Sequence, residues 1–263
     1  MTLVQGTVVI DHQLCSTCSQ CIAVCPERAL RWRDAEARQR QPERLPSPQQ
    51  LDELFKERRS TRRFAQAKIP RSELEAIVAC AAYAPTNNYD FRVILVDEPK
   101  VLNALEVYAR SMVSRLYRVV FKHRVLFEIF RRFPLAPHTG PKDRVKVEGN
   151  ILHGHTIFHE AAAMLFIVGD ARVALSSDSA QYALANVVFA AQVRGIASCL
   201  SGAAKTLLGF HPAARRMLGL LRRERIYGVL TLGYPAVAFH NNVEGKRLPV
   251  AWVEAMGSDR SRT

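Results

Sequence analysis

The sequence has no uninterrupted apolar run long enough to cross a bilayer. Its most apolar stretch, Tyr182 to Leu200, is broken by Asn186, Gln192 and Arg194, side chains that are costly inside a membrane. The first residues, MTLVQGTVVIDHQ, lack the basic start and long apolar core of a secretory signal. No Gly-x-Gly-x-x-Gly follows a strand and no P-loop is present, so neither a dinucleotide-binding Rossmann unit nor a nucleotide hydrolase is supported. Internal repeats are missing as well. The formal net charge of +13 invites a nucleic-acid reading, yet no helix-turn-helix, zinc-finger or RNA-binding aromatic signature accompanies it. The basic residues scatter over Arg58 to Arg63, Arg115 to Arg132, Arg215 to Arg225 and Lys246 to Arg247, which reads as a solvated surface able to attract acidic partners. The expectation is a protein that binds neither nucleic acid nor membrane.

What is present is an ordinary globular composition. With 263 residues, 48% of them hydrophobic and 23% charged, the chain can bury one good core and still carry a small appended module. Six cysteines, four of them near the start and with no secretory signal ahead of them, suit metal binding in a reducing compartment better than disulfides. The expected location is the cytoplasm.

Thr7 to Ile10 reads as a short β run, and the proline-containing RWRDAEARQRQPERLPSPQQ reads as a linker. Ser47, Pro48 and Gln50 spell a helix start whose apolar face is Leu51, Leu54 and Phe55, so the main domain is expected to begin here. Ser72 and Glu75 suggest a second capping box ahead of Leu74, Ile77, Val78 and Ala81, with an end at Ala84-Pro85-Thr86-Asn87. Phe91 to Val96 is a strand and Pro99 opens a helix. Helical spacing then continues through Met112, Leu116, Val119 and Val120 to Phe130, with a basic opposite side over 111–133. That segment is expected to pack on its own domain or cover a site. Phe133 to Val147 is a loop, Met164 to Val168 a buried strand, Asp178 to Arg194 a long helix stopped at Gly195, and Ile226 to Leu232 a last strand. Helices and strands alternate, so the class is α/β or α+β with a sheet between helices.

Cys15-x2-Cys18-x2-Cys21-x3-Cys25-Pro26 has the spacing of the bacterial ferredoxin run. Its short gaps let one tight loop aim three thiolates at a cubane while backbone amides hydrogen-bond the sulfides. A structural zinc site is the alternative, although such sites usually join two separated cysteine pairs. In two-cluster ferredoxins the fourth cysteine serves the other cluster, and residues 26 to 79 here hold no cysteine. Cys25 closes the set, or Cys80, Cys199, a partner or a non-cysteine ligand does, or the site is vestigial. The expectation is one [4Fe–4S] cluster on Cys15, Cys18, Cys21 and Cys25. His153-x-His155-x3-His159 also has a metal-like spacing. With no carboxylate or cysteine partner beyond Glu160, surface or pocket histidines are the plainer reading.

Four separated segments resemble the nitroreductase family of flavin-mononucleotide (FMN) enzymes. Arg58-Arg59-Ser60-Thr61-Arg62 is similar to an Arg-Arg-Ser-x-Arg segment at the FMN phosphate and ribityl chain. Ala84-Pro85-Thr86-Asn87 stands where the family has a Pro-Ser-x-x-Asn turn, here shortened, so Thr86 with Asn87 or Asn88 is implied at the flavin. Gly195 to Gly202 resembles the family's Gly-Leu-Gly-Ser-Cys segment, and Ser201, Gly202 and Ala203 are implied at the flavin N5 and O4 edge. Leu232-Gly233-Tyr234-Pro235, followed by Lys246-Arg247, resembles the strand end and later basic pair that complete the phosphate site. Phe158-His159-Glu160-Ala161-Ala162 departs from the Gly-Ala-Pro turn of many iron–sulfur members. The resemblance implies an α+β fold with a nitroreductase-like mixed sheet sandwiched by helices over 46–263, behind a small ferredoxin-like module and linker over 1–45. It implies a homodimer with FMN in the dimer groove and no catalytic side-chain nucleophile. A small nitroaromatic, quinone or activated alkene would accept electrons drawn from NAD(P)H, or from an acidic ferredoxin or flavodoxin through the cluster. The alternative is an electron-relay or partner-binding flavoprotein subunit.

Overall fold

The computed structural model describes residues 2–11, 13, 15, 18–32, 35–86, 90–123, 125, 126, 129, 149, 156–174, 176–245 and 247–252. The chain opens with a two-stranded hairpin, β1 (Thr2–Val4) and β2 (Thr7–Val9), turned by Gln5 and Gly6, both at positive φ. A five-residue helix, α1 (Gln20–Val24), and a second small hairpin, β3 (Arg31–Trp32) with β4 (Ala35–Glu36), complete the N-terminal part. Next comes α2 (Pro48–Glu57), where the expected capping box forms: Gln50 N–H donates to Ser47 Oγ at 3.3 Å, and Ser47 N–H donates to Gln50 Oε1 at 2.9 Å.

The following helix, α3 (Arg71–Ala79), corrects the second capping reading. Its N-cap is Pro70 and no side chain caps it. Ser72 therefore lies inside the first turn, where its hydroxyl cannot take the N-cap role, and Arg71 instead braces this end by a fork of bonds to Asp97 at 2.7 and 3.0 Å. A 3₁₀ turn over Cys80–Tyr83 then leads toward Thr86. Strand β5 (Phe91–Val96) and helix α4 (Pro99–Leu116) start where expected, and α4 runs into a π turn over Tyr117–Phe121. The loop expected over Phe133 to Val147 lies outside the described residues.

Strand β6 (Ala163–Asp170) is followed by α5 (Ser176–Gln192), β7 (Ala197–Leu200), α6 (Gly202–Phe210), α7 (Pro212–Met217) and β8 (Glu224–Gly233). The main sheet runs β5-β6-β8-β7 and every ladder in it is antiparallel. A parallel element enters only as the isolated bridge Ser60–Ser198, so the expected mixed sheet is antiparallel among the described residues apart from that contact.

β6 is apolar at every position from Ala163 to Val168 because both of its faces are covered. Ala163, Leu165 and Ile167 pack with α3 and α5, through Leu74, Ile77, Ala183 and Val187. Met164, Phe166 and Val168 pack with α4 and α6, through Leu105, Ala109, Ala204 and Leu208. The register between β6 and β8 shifts at Ile167/Val168, where Gly228 and then Ile226 are the successive partners. Tyr227 is the extra residue of this bulge, which is why Ile226 and Val229, three apart, face the same layer. The result is an α+β sandwich with one sheet between two helical layers.

Candidate functional site

Between the C-terminus of α2 and α3 the chain crosses the end of the sheet beside β7 and β8. Thr61 N–H donates to Ser198 O at 3.0 Å, Ala65 N–H to Tyr234 O at 2.8 Å, and Ala236 N–H to Arg63 O at 3.0 Å. Phe64, 6% exposed, anchors this segment by lying over Gly233, where a Cβ would come within 2.7 Å of the ring. Glycine there is a packing requirement. With Thr61 and Phe64 turned inward, Ser60, Arg62 and Arg63 stand out toward solvent.

This arrangement gathers the cationic groups. Arg59 turns back on α2, its Nη1 donating to the carbonyls of Lys56 and of Arg58, the latter at 2.9 Å. The other terminal nitrogen, Nη2, is buried without a hydrogen-bond partner among the described residues. Arg58, Arg62 and Ser60 lie beside Cys199 of β7. Burial pushes the Cys199 thiol up, against the pull of Arg62 and Arg58 and of hydrogen bonds from Arg62 and Ser60. A 5% exposed thiol held protonated is packing and not a nucleophile.

Just after β7, Ser201 N–H donates to Val229 O at 2.9 Å, and Ser201 Oγ caps α6 by accepting from Ala204 N–H at 3.2 Å. Gly202 and Ala203 are therefore the first two helical positions, and both are exposed. Their N–H groups precede any possible intrahelical acceptor, so the start of α6 offers donors to an anionic or electron-rich ligand.

The turn ahead of β6 closes another side. Glu106 of α4 accepts from Ile157 N–H at 2.8 Å and from Phe158 N–H at 3.0 Å, and Phe158 is buried. His159 and Glu160 then take φ values of 60° and 55°, the left-handed region. Gln66 Nε2 donates to Glu160 Oε2 at 3.3 Å, tying this turn to the arginine segment. His159 is half-buried, and its burial together with the charge of Arg62 holds its pKa below the usual 6.5. The turn also walls a cavity of about 450 Å³ whose lining includes Gln66, Lys68, Asp97, Glu106, Phe158 and Glu160.

Of the sequence-derived site residues, Arg58, Ser60 and Arg62 meet Cys199, the neighbour of Ser201, Gly202 and Ala203. Thr86 follows the 3₁₀ turn after α3, and Arg247 lies exposed in the C-terminal tail. Asn87, Asn88 and Lys246 fall outside the described residues, as do His153 and His155. Sequence reasoning left His159 without a role. Its signal was present all the same: a titratable residue and a glutamate where the related turn carries glycine.

The four N-terminal cysteines lie in or near α1. Cys21 is in α1, Cys25 caps its end, Cys18 is exposed, and none of the six cysteines is in a disulfide. No three His, Cys, Asp or Glu side chains among the described residues come together to hold a metal ion. Among the described residues no helix is long and apolar enough to cross a membrane.

The model of the nitroreductase family matches residues 55–234. A nitroreductase with bound FMN from Bacteroides fragilis is 20% identical, with a TM-score of 0.58 over 77% of this chain and 98% of that one. A second nitroreductase with bound FMN, from Desulfitobacterium hafniense, is 18% identical, with a TM-score of 0.57 over 76% and 97% of the two chains. An iodotyrosine deiodinase bound to FMN and 3-iodo-L-tyrosine is 19% identical, with a TM-score of 0.54 over 77% and 98%. At such identities the likeness establishes the fold. No curated protein matches the chain.

Proposed function

The chain belongs to the nitroreductase family, and on that footing we propose that it is an FMN-dependent oxidoreductase reducing a small electron-poor acceptor such as a nitroaromatic, quinone or activated alkene. The observation that carries this reading is the buried Nη2 of Arg59, unpartnered among the described residues, in a segment that also holds Arg58, Ser60 and Arg62. A buried guanidinium nitrogen without an acceptor is costly, and a phosphate oxygen is the acceptor its fork geometry suits. The residues thus fit a phosphorylated flavin, as in the FMN-bound Bacteroides and Desulfitobacterium nitroreductases.

In this reading Arg58, Arg59, Ser60 and Arg62 bind the phosphate and ribityl chain, joined by Lys246 and Arg247 from the tail. Thr86 with Asn87 or Asn88 meets the ring. Ser201 orients the start of α6, so that the N–H groups of Gly202 and Ala203 face the ring edge where negative charge develops on reduction. The flavin supplies two-electron transfer between a donor and an acceptor that occupy the same face in turn. No protein nucleophile is required, in keeping with the protonated, buried Cys199.

The protein is further proposed to act as a homodimer in the cytoplasm. α2 has an apolar face but no buried residue, and its Phe55, 49% exposed, meets the edge of Phe189 of α5, at 4.9 Å and 71°. The described tail after Pro235 is largely exposed, with Leu248 at 87% and Trp252 at 84%. A second copy is the natural cover for both. The cysteine run is proposed, on its spacing alone, to hold one [4Fe–4S] cluster once iron and sulfide are supplied. The donor is NAD(P)H or an acidic ferredoxin or flavodoxin drawn to the basic surface.

FMN titrated into the full-length chain tests the central claim. Saturation at one flavin per chain is expected, with Arg59→Ala and Arg247→Ala each weakening binding by about 2 kcal/mol. Absence of flavin absorption after anaerobic reconstitution would sink the reading, and unaltered affinity in both variants would place the phosphate elsewhere.

A further inference from the structure

The cavity of about 450 Å³ beside the turn ahead of β6 is lined by none of the residues assigned above to the flavin, and its volume lies in the range that small organic ligands fill. Pro99, Leu102, Asn103 and Glu106 recur at helical spacing, so one face of α4 makes its first wall. The segment from Ala65 to Lys68 makes a second wall, and the turn, with Phe158 and Glu160, a third. Its most buried lining residues are apolar. Met164 and Phe158 are 0% and 4% exposed, and Leu102 packs against the same core.

The charged groups of this cavity are unevenly partnered. Asp97 takes a fork of two bonds from Arg71, and its carboxyl is held below the usual value by that guanidinium first and by Lys68 with a smaller pull. Glu224, elsewhere in the sheet, is forked by Arg92 in the same way. Glu106 and Glu160 differ. Glu106 accepts from the backbone N–H groups of Ile157 and Phe158, Glu160 accepts on Oε2 from the Gln66 amide, and neither has a cation as partner among the described residues. In a chain with 37 lysines and arginines against 24 aspartates and glutamates, that is not for want of cations. Both carboxylates also belong to one wall, since Glu106 holds the N–H groups of the very turn that carries Glu160.

We propose that this cavity binds an organic ammonium ion, with its charged head at Glu106 and Glu160 and its apolar body against Leu102, Phe158 and Met164. An ammonium carries three donors and no acceptor, which suits carboxylate oxygens that each have more than one acceptor position. Charge-assisted bonds of this kind are roughly twice as strong as neutral ones, so an alcohol of the same shape is held less well. A bare divalent cation is a poorer occupant, because it asks for six or more oxygens where most of this surface is apolar. The site stands apart from the flavin reading and does not rest on it. No covalent bond is made or broken.

Two substitutions separate charge from space. Glu160→Gln removes the charge and keeps an amide oxygen able to accept from Gln66, so the turn retains its tie to the neighbouring segment. Glu106 is the poorer probe, because it also clamps two backbone N–H groups. Asn103 is exposed on the α4 face that lines the cavity, and Asn103→Trp places an indole there without altering either carboxylate.

The measurement is calorimetric titration of the full-length chain, with and without FMN, using hexylamine and its neutral isostere hexan-1-ol at pH 7, where an alkylamine is protonated. One hexylammonium per chain is expected, bound about tenfold or more tightly than the alcohol. Glu160→Gln is expected to weaken the amine by about tenfold and to leave the alcohol as it was, while Asn103→Trp shuts out both. Melting temperatures close to wild type check that each variant is folded, and a misfolded Asn103→Trp leaves Glu160→Gln as the deciding comparison. Equal affinity for amine and alcohol overturns the proposal, as does amine binding that Glu160→Gln does not change, or no amine binding by wild type. Hexylamine bound as expected by a chain that takes up no FMN would end the flavin reading and leave this site standing.

Discussion

Gly233 shows how one missing side chain positions a site made of others. The Phe64 side chain occupies the space where a Cβ would stand, with approaches of 2.7 and 2.9 Å to two ring carbons and 3.0 Å to its own Cβ. Phe64 is buried and the segment around it is bonded to Ser198 and Tyr234, so the ring cannot withdraw without moving Ser60 to Arg63. Gly233→Ala is therefore expected to destabilise the fold by roughly 1–3 kcal/mol, the usual cost of overpacking. It should also weaken FMN binding although the residue touches no ligand. Urea unfolding and flavin titration on the same preparation check the two parts, and a variant that loses stability with flavin affinity intact would uncouple Phe64 from the arginine segment.

At the scale of elements, local signals and tertiary packing made separate contributions. The Ser47 box, Pro99 and the apolar run from Ala163 to Val168 announce α2, α4 and β6 because capping and burial are written in consecutive residues. Ser72 misled because its spacing to Glu75 imitates a cap, while the helix begins one residue earlier at Arg71. β7 lies inside the glycine–cysteine segment read for its resemblance, and α6 and α7 are short helices started by Ser201 and by His211 with Pro212. α2 itself carries a consequence for assembly, because its apolar face finds no buried position in a single chain. Phe55→Glu is expected to convert a dimer into monomer in analytical ultracentrifugation at micromolar concentration, with flavin lost in parallel. A variant that stays dimeric would move the interface away from α2.

For the molecule as a whole, one chain joins a cysteine-bearing N-terminal part to the sandwich. The spacing of Cys15, Cys18, Cys21 and Cys25 points to a cluster, whereas the described fold leaves these thiols unassembled. Anaerobic purification with iron, acid-labile sulfide and FMN quantified per chain decides between them. About four irons and one flavin are expected if the run is competent. Flavin without iron would leave the sandwich as the functional unit, fed directly by a soluble donor.

Much of the secondary structure was legible along the chain, because caps, proline positions and hydrophobic period act between near neighbours. The family resemblance was likewise carried by short motifs such as Arg58 to Arg62 and Gly195 to Gly202. The order β5-β6-β8-β7, the bulge at Tyr227 and the meeting of Arg62 with Cys199 and His159 were not. These depend on which strands pair, and pairing is settled by burying both faces of β6 at once, a condition on distant segments jointly. The environment that shifts a titratable group is assembled in the same step. For that reason His159 was readable only as a departure from a related turn, while the burial and the Arg62 charge that lower its pKa come from the fold around it.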